Sequence, residues 1–179
     1  MTGVSGAAGG PPAVVLVGPP GAGKSTVGRI VAERLGVTYR DTDADIEHTA
    51  GKPIAEIFID DGEPRFRELE RTAVHEALAA HDGVLSLGGG AIMDDSTRKL
   101  LADLPVVFLE VGQHDAVRRV GLDAPRPLLA VNPRQRWREL MDQRRPLYTE
   151  VARAVVVTDE RTPEDVAGAV LDALQLKDA

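Results

Sequence analysis

Eight consecutive residues, Gly18-Pro19-Pro20-Gly21-Ala22-Gly23-Lys24-Ser25, concentrate the most readable chemistry in this chain. They satisfy G-x-x-x-x-G-K-[ST], the pattern of a phosphate-binding P-loop. Glycines let such a backbone curl until successive N–H groups, here from Gly21 to Thr26, point at phosphate oxygens. A helix opening near Lys24 adds its positive dipole end. Lys24 is expected to reach the β- and γ-phosphates of a nucleotide, and Ser25 to ligate Mg²⁺.

Three further groups carry residue types suited to handling a small acid. Asp41 and Asp43 stand two apart at the end of a strand-like run, a spacing that sends both carboxylates to one side. Arg67 and Glu70 are one helical turn apart and can pair, so that Glu70 holds the guanidinium in one pose. The alternative is an ordinary surface pair. Gly88-Gly89-Gly90 allows the close backbone approach that a small ligand needs, or is a plain turn.

The elements that must position these residues alternate in type. Apolar, β-branched runs at 13–17, 38–41, 83–87, 106–109 and 155–157 read as strands. Helical periodicity is expected over 24–35, 44–49, 54–59, 66–81, 96–102, 115–120, 136–151 and 163–174. Such alternation predicts βαβ units and a five-stranded parallel sheet with helices on both faces, a three-layer α/β/α fold. Ligands bind such sheets at the carboxyl ends of the strands. Residues 18–25, 41–43 and 88–90 all fall there. Residues 121–134, rich in Gly and Pro, read as a mobile lid. The region around residues 42–82 is expected to bind the second substrate.

With 179 residues the chain suits one domain, residues 13–179, behind a flexible Gly/Ala/Pro tail at 1–12 that lacks the features of a signal peptide. No apolar run is long enough for a membrane helix. A net charge of −7 gives no support to nucleic-acid binding as the main activity. The absence of cysteine excludes disulfides and thiolate chemistry, and fits a reducing cytoplasm. Four lysines stand against seventeen arginines, and arginine suits bidentate capture of carboxylate and phosphate. His48, His75, His81 and His114 show no metal spacing and read as surface groups.

In order along the chain, Gly18–Ser25, Asp41-Thr-Asp43, Gly62-Glu-x-x-Phe66-Arg67-x-x-Glu70, Leu87-Gly-Gly-Gly90, Arg126-Pro-Leu-Leu129 and Arg144-x-Pro-Leu-Tyr148 resemble the motifs of the shikimate kinase family. The resemblance spans about residues 14–174. It implies a P-loop kinase that moves the γ-phosphate of ATP to the 3-hydroxyl of shikimate, with Mg²⁺, working as a monomer without nucleic-acid or membrane partners. It puts Asp41 near Mg²⁺ through the metal's water shell and Asp43 at the substrate hydroxyl. Arg67 and Arg144 would clamp the carboxylate, helped by the amides of the loop Gly88, Gly89 and Gly90. Arg126 would swing over the phosphates from the lid, as an arginine finger supplied in cis.

Arg119 and Pro163 match the residues that sandwich adenine, with Arg118 an equally placed neighbour of Arg119. Phe58 and Phe66 would wall the pocket, or pack in the core. Tyr39-Arg40 replaces an expected apolar pair, and Arg145 sets a second cation beside Arg144. A gluconate or nucleoside-monophosphate kinase and a nucleotide-binding regulatory module stand as alternatives.

Overall fold

The computed structural model describes residues 9–123 and 132–179. Five strands, β1 (Val14–Val17), β2 (Tyr39–Asp41), β3 (Val84–Ser86), β4 (Val106–Glu110) and β5 (Ala154–Val157), form one parallel sheet in the order β2-β3-β1-β4-β5. The three-layer α/β architecture read from the sequence is the one found. β1 lies at the centre, flanked on both edges, and all four of its side chains are buried. That is why it reads as an unbroken apolar run rather than an alternating one.

Eight helices complete the described chain: α1 (Lys24–Leu35), α2 (Thr42–Ala50), α3 (Ile54–Asp60), α4 (Gly62–Ala80), α5 (Asp95–Leu101), α6 (Gln113–Asp123), α7 (Pro133–Val151) and α8 (Pro163–Ala173). β1 crosses over to β2 in one direction along the sheet, whereas β2 to β3, β3 to β4 and β4 to β5 run in the other. Right-handed crossovers therefore put α1 on one face and α4, α5 and α7 on the opposite one. α8 packs against α1.

Two cores result. The main one joins β1, β3 and β4 to Val27 and Val31 of α1, Trp137 and Met141 of α7, and Val166 and Val170 of α8. A smaller cluster of Ile46, Ile57, Phe66 and Ala73 ties α2, α3 and α4 together within the region expected to hold the second substrate.

Several boundaries differ from the sequence reading. α6 continues to Asp123 and α7 begins at Pro133, so helix occupies both ends of the stretch read as irregular. Proline at the first helical position explains the early start of α7, because it lacks only an N–H that would have had no partner there. Residues 124–131, which contain Arg126, lie outside the described residues, as do residues 1–8 of the expected tail. A 3-10 turn at Ala91–Met93, not anticipated, follows the glycine loop. Among the described residues no helix is long and apolar enough to cross a membrane.

β2 is clamped to the start of β3 by tight backbone contact. A β-carbon at Gly83 would fall inside the van der Waals envelope of the Thr38 carbonyl, 3.1 Å from its carbon and 3.0 Å from Nε2 of His81. Gly83→Ala is therefore expected to lower unfolding stability by about 1–3 kcal/mol, read as a shift in the urea midpoint at unchanged slope. Wild-type stability would show that β2 can slide without loss.

Candidate active site

The P-loop leaves the end of β1 and turns into α1. Gly23 caps α1 from the left-handed region, φ 86°, and no side chain bonds the first amides of the helix. Those amides and the helix dipole thus meet whatever sits in the loop. Nζ of Lys24 donates to the carbonyls of Gly18 at 2.7 Å and Pro19 at 3.1 Å, lying back along the loop.

Ser25 Oγ donates to Oδ2 of Asp41 at 3.4 Å, so the two residues expected to serve the metal meet across the β1 and β2 strand ends. A hydroxyl and a carboxylate beside a phosphate loop are hard oxygen donors, the set Mg²⁺ takes when substrate phosphates and water complete its octahedron. Among the described residues no cluster of three or more His, Asp or Glu could hold a metal by itself.

The aspartate pair is not built as its spacing suggests. Asp41 ends β2 and caps α2, its Oδ1 accepting the amide of Asp43 at 2.9 Å, and Asp43 is already the second residue of that helix. Strand alternation stops at Asp41, so a cap and not a pleat aligns the two carboxylates. The signal was present: an aspartate just before a helical run is an N-cap signature. Burial, then the neighbouring charge of Asp43, raises the Asp41 carboxyl above its ordinary range, against the opposing pull of Lys24 and Ser25.

The glycine loop after β3 is where the remaining site residues converge. A β-carbon at Gly88 would lie 2.6 Å from Oδ1 of Asp43. One at Gly89 would lie 3.3 Å from Nη1 of Arg144 and 3.0 Å from Pro20 of the P-loop, and one at Gly90 would lie 2.8 Å from Cζ of Arg67. The glycines give way to charged side chains from three helices: Asp43 of α2 and, at 3.1 Å, Glu70 of α4 at Gly88, Arg144 of α7 at Gly89, and Arg67 of α4 at Gly90. The Pro20 contact sets this cluster directly against the phosphate loop.

Arg67 is held from several sides. Nη1 bonds Oε1 of Glu70 at 2.8 Å, Nη2 reaches Glu63 at 3.3 Å, and the guanidinium lies 5.3 Å over the Phe66 ring. Glu70 is only 4% exposed, so the pair is no surface ornament. Arg144 is likewise buried. Phe66 sits in the smaller core with Phe58 packed on it, ring centroids 4.6 Å apart. These two rings back the site through the α2–α4 region.

On the other side of the P-loop a cavity of about 220 Å³ is lined by Ala22, Gly23, Thr26, Arg119, Arg161 and Pro163. Arg119 donates to the Gly21 carbonyl at 3.0 Å and to Thr158 at 3.4 Å, while Arg118 is mostly exposed and faces Asp115. The geometry thus separates two arginines that sequence could not. Arg161 and Thr158 were missed, although Arg161 stands only two residues before Pro163.

The unexpected cations are accounted for. Arg40 pairs with Asp45 at 2.8 Å, and Arg145 reaches Glu110 at 3.4 Å rather than sharing the place of Arg144. Tyr39 packs on Gly28 with Arg29 5.3 Å over its ring. Of the histidines, His48 and His114 are exposed, whereas His75 and His81 are half-buried. The His81 ring bonds the backbone of Thr38 and Val84.

A family model described as shikimate kinase matches residues 20–175. A shikimate kinase of Streptomyces avermitilis is 67% identical over 168 residues, 94% of this chain and 98% of that protein. A solved shikimate kinase from Acinetobacter baumannii, in complex with shikimate, aligns with a TM-score of 0.88 at 40% identity, covering 92% of this chain and 93% of that one. A gluconokinase from Sinorhizobium meliloti, TM-score 0.57 at 22% identity over 92% of each chain, shares the fold alone. The parallel sheet with a P-loop at its central strand defines a P-loop nucleotide-binding protein. Within that class the chain belongs to the shikimate kinase family.

The raised Asp41 carboxyl has a consequence for stability. Its charge is held partly buried beside that of Asp43, whereas an amide keeps the oxygen that accepts the Asp43 N–H. Asp41→Asn is expected to raise the melting temperature of the ligand-free protein by about 1–4 °C at neutral pH. A fall of several degrees in differential scanning calorimetry would mean that the charge itself holds α2 in place.

Proposed function

We propose that this chain catalyses transfer of the γ-phosphate of ATP to the 3-hydroxyl of shikimate, giving shikimate 3-phosphate and ADP. The observation that carries this reading is the glycine loop, against which Asp43, Arg67 and Arg144 crowd beside the P-loop, with Glu70 there too but paired to Arg67. An acid bearing a hydroxyl fits that charge pattern: two cations for its carboxylate, one carboxylate for its hydroxyl. The high identity with named shikimate kinases supports the same substrate, and the likeness to a gluconokinase extends no further than the fold.

In the proposed reaction the nucleotide phosphates lie in the P-loop, cradled by the amides of residues 21–26, with adenine in the cavity between Arg119 and Pro163. Arg67 and Arg144, with the amides of Gly89 and Gly90, fix the carboxylate and so aim the 3-hydroxyl at the γ-phosphorus. Asp43 accepts a hydrogen bond from that hydroxyl and takes its proton as the new O–P bond forms. The bond from phosphorus to the β,γ-bridging oxygen breaks, and ADP leaves. Lys24 stabilises charge on the transferring phosphoryl group, and Arg126 is assigned to the same phosphates by the family pattern. Ser25 and Asp41 would hold Mg²⁺, Asp41 through water. When bound, that ion neutralises charge on the β- and γ-phosphates. We assign the enzyme to the cytoplasm, where ATP is maintained, and, as the family resemblance implies, to a monomeric state.

Two sets of variants test the assignments. Lys24→Ala should reduce kcat to below about a tenth of wild type without loss of fold. Asp43→Asn should lower kcat by about 10²–10⁴-fold while ATP affinity holds and the melting temperature does not fall. A near-normal kcat would remove Asp43 from the chemistry. Arg67→Ala should raise the KM for shikimate far more than that for ATP; equal changes in both would make Arg67 a structural residue.

A further inference from the structure

We infer that Tyr148 is a positioning residue for the substrate carboxylate, acting through the backbone of the glycine loop. Its side chain is fully buried, and its hydroxyl donates to the carbonyl oxygen of Gly89. The ring is fixed in turn by stacking on Phe108 of β4, centroids 4.9 Å apart and planes 23° from parallel. Nothing in the proposed chemistry requires a hydroxyl at this depth in the core.

Peptide geometry explains what the bond does. The Gly89 carbonyl and the Gly90 N–H belong to one planar trans peptide, so they point in opposite directions. Drawing the carbonyl toward Tyr148 therefore turns the Gly90 amide away from that hydroxyl, while Arg67 lies beside the α-carbon of Gly90. Three successive glycines have little stiffness of their own, and their peptide planes need an external tether to keep one orientation.

The same helix supplies the cation. Arg144 and Tyr148 are four residues apart in α7, both buried, and so project from one face one turn apart. Both meet Gly89: Tyr148 at its carbonyl, Arg144 beside its α-carbon. Helix α7 thus sets the guanidinium and the amide donors in register with each other, so a carboxylate meets one preorganised surface and not two independent groups.

This inference rests on the assignment of Arg144 and the glycine amides to the shikimate carboxylate, and the test separates the two. Tyr148→Phe keeps the ring and its stacking and removes only the hydroxyl. It is expected to weaken shikimate binding, by calorimetric Kd and by KM, roughly five- to fiftyfold, with the KM for ATP within about twofold of wild type. Val151→Ala, which removes core packing from the end of α7 without touching the loop, should lower the melting temperature and leave shikimate affinity unchanged. Phe108→Leu loosens the Tyr148 ring while keeping its hydroxyl, and should weaken shikimate selectively even where Tyr148→Phe folds poorly. Shikimate affinity unchanged in both ring variants, or a parallel rise in both KM values, would overturn the inference. In that event Arg144→Lys decides what else falls. If it weakens shikimate, the site assignment survives and only the role of Tyr148 is lost; if it does not, the assignment of Arg144 fails as well.

Discussion

Charged side chains from three helices crowd one short backbone loop so closely that a β-carbon there would collide with them or press on them, and the substrate half of the site is arranged around that requirement. Gly88, Gly89 and Gly90 yield space to Asp43, Arg144 and Arg67 respectively, and Gly89 also touches Pro20 of the phosphate loop. The glycines are therefore needed less for flexibility than for their missing side chains. A loop of larger residues would push the carboxylate and both guanidiniums outward and open a gap to the phosphates.

The fold meets this requirement by bringing α2, α4 and α7 to the carboxyl end of β3, next to the central β1. The parallel sheet sets those strand ends side by side, and the smaller core of Ile46, Ile57, Phe66 and Ala73 fixes the helices that carry Asp43 and Arg67. Charge is balanced locally. Glu70, almost wholly buried, pairs with the partly exposed Arg67, so the buried carboxylate has a counter-charge within hydrogen-bond reach. Asp41 carries the opposite burden: like charge and burial both act against its ionised form. The site thus combines a well-compensated cation with an under-compensated anion, the latter lying where a metal ion would relieve it.

Much of this was legible in residue order. The buried strand Val14–Val17, the glycine pattern that follows it and the amphipathic α1 leave few readings, because a parallel sheet and a phosphate loop each demand a particular local composition. Arg67 with Glu70 was readable from helical spacing. What spacing concealed was direction. Asp41 and Asp43 look like strand neighbours until the chain turns into α2 between them, and the turn is made by Asp41 itself. Arg118 and Arg119 are interchangeable in sequence, and only the position of α6 over the P-loop sends one to Gly21 and the other to solvent. Tyr148 gave no chemical signal, since a tyrosine in an apolar helical stripe usually means core. Its hydroxyl gains meaning only when Gly89, fifty-nine residues away in sequence, is brought to it.

The most direct measurement is ADP release by the purified chain, followed in a coupled assay across shikimate, quinate, gluconate and nucleoside monophosphates, with and without Mg²⁺. The charge pattern around the glycine loop and the 67% identity with a named shikimate kinase together predict rapid turnover with shikimate that depends on Mg²⁺, and far slower release with every other acceptor. Faster turnover of gluconate or a nucleotide than of shikimate, or no acceptor-dependent release at all, would contradict it.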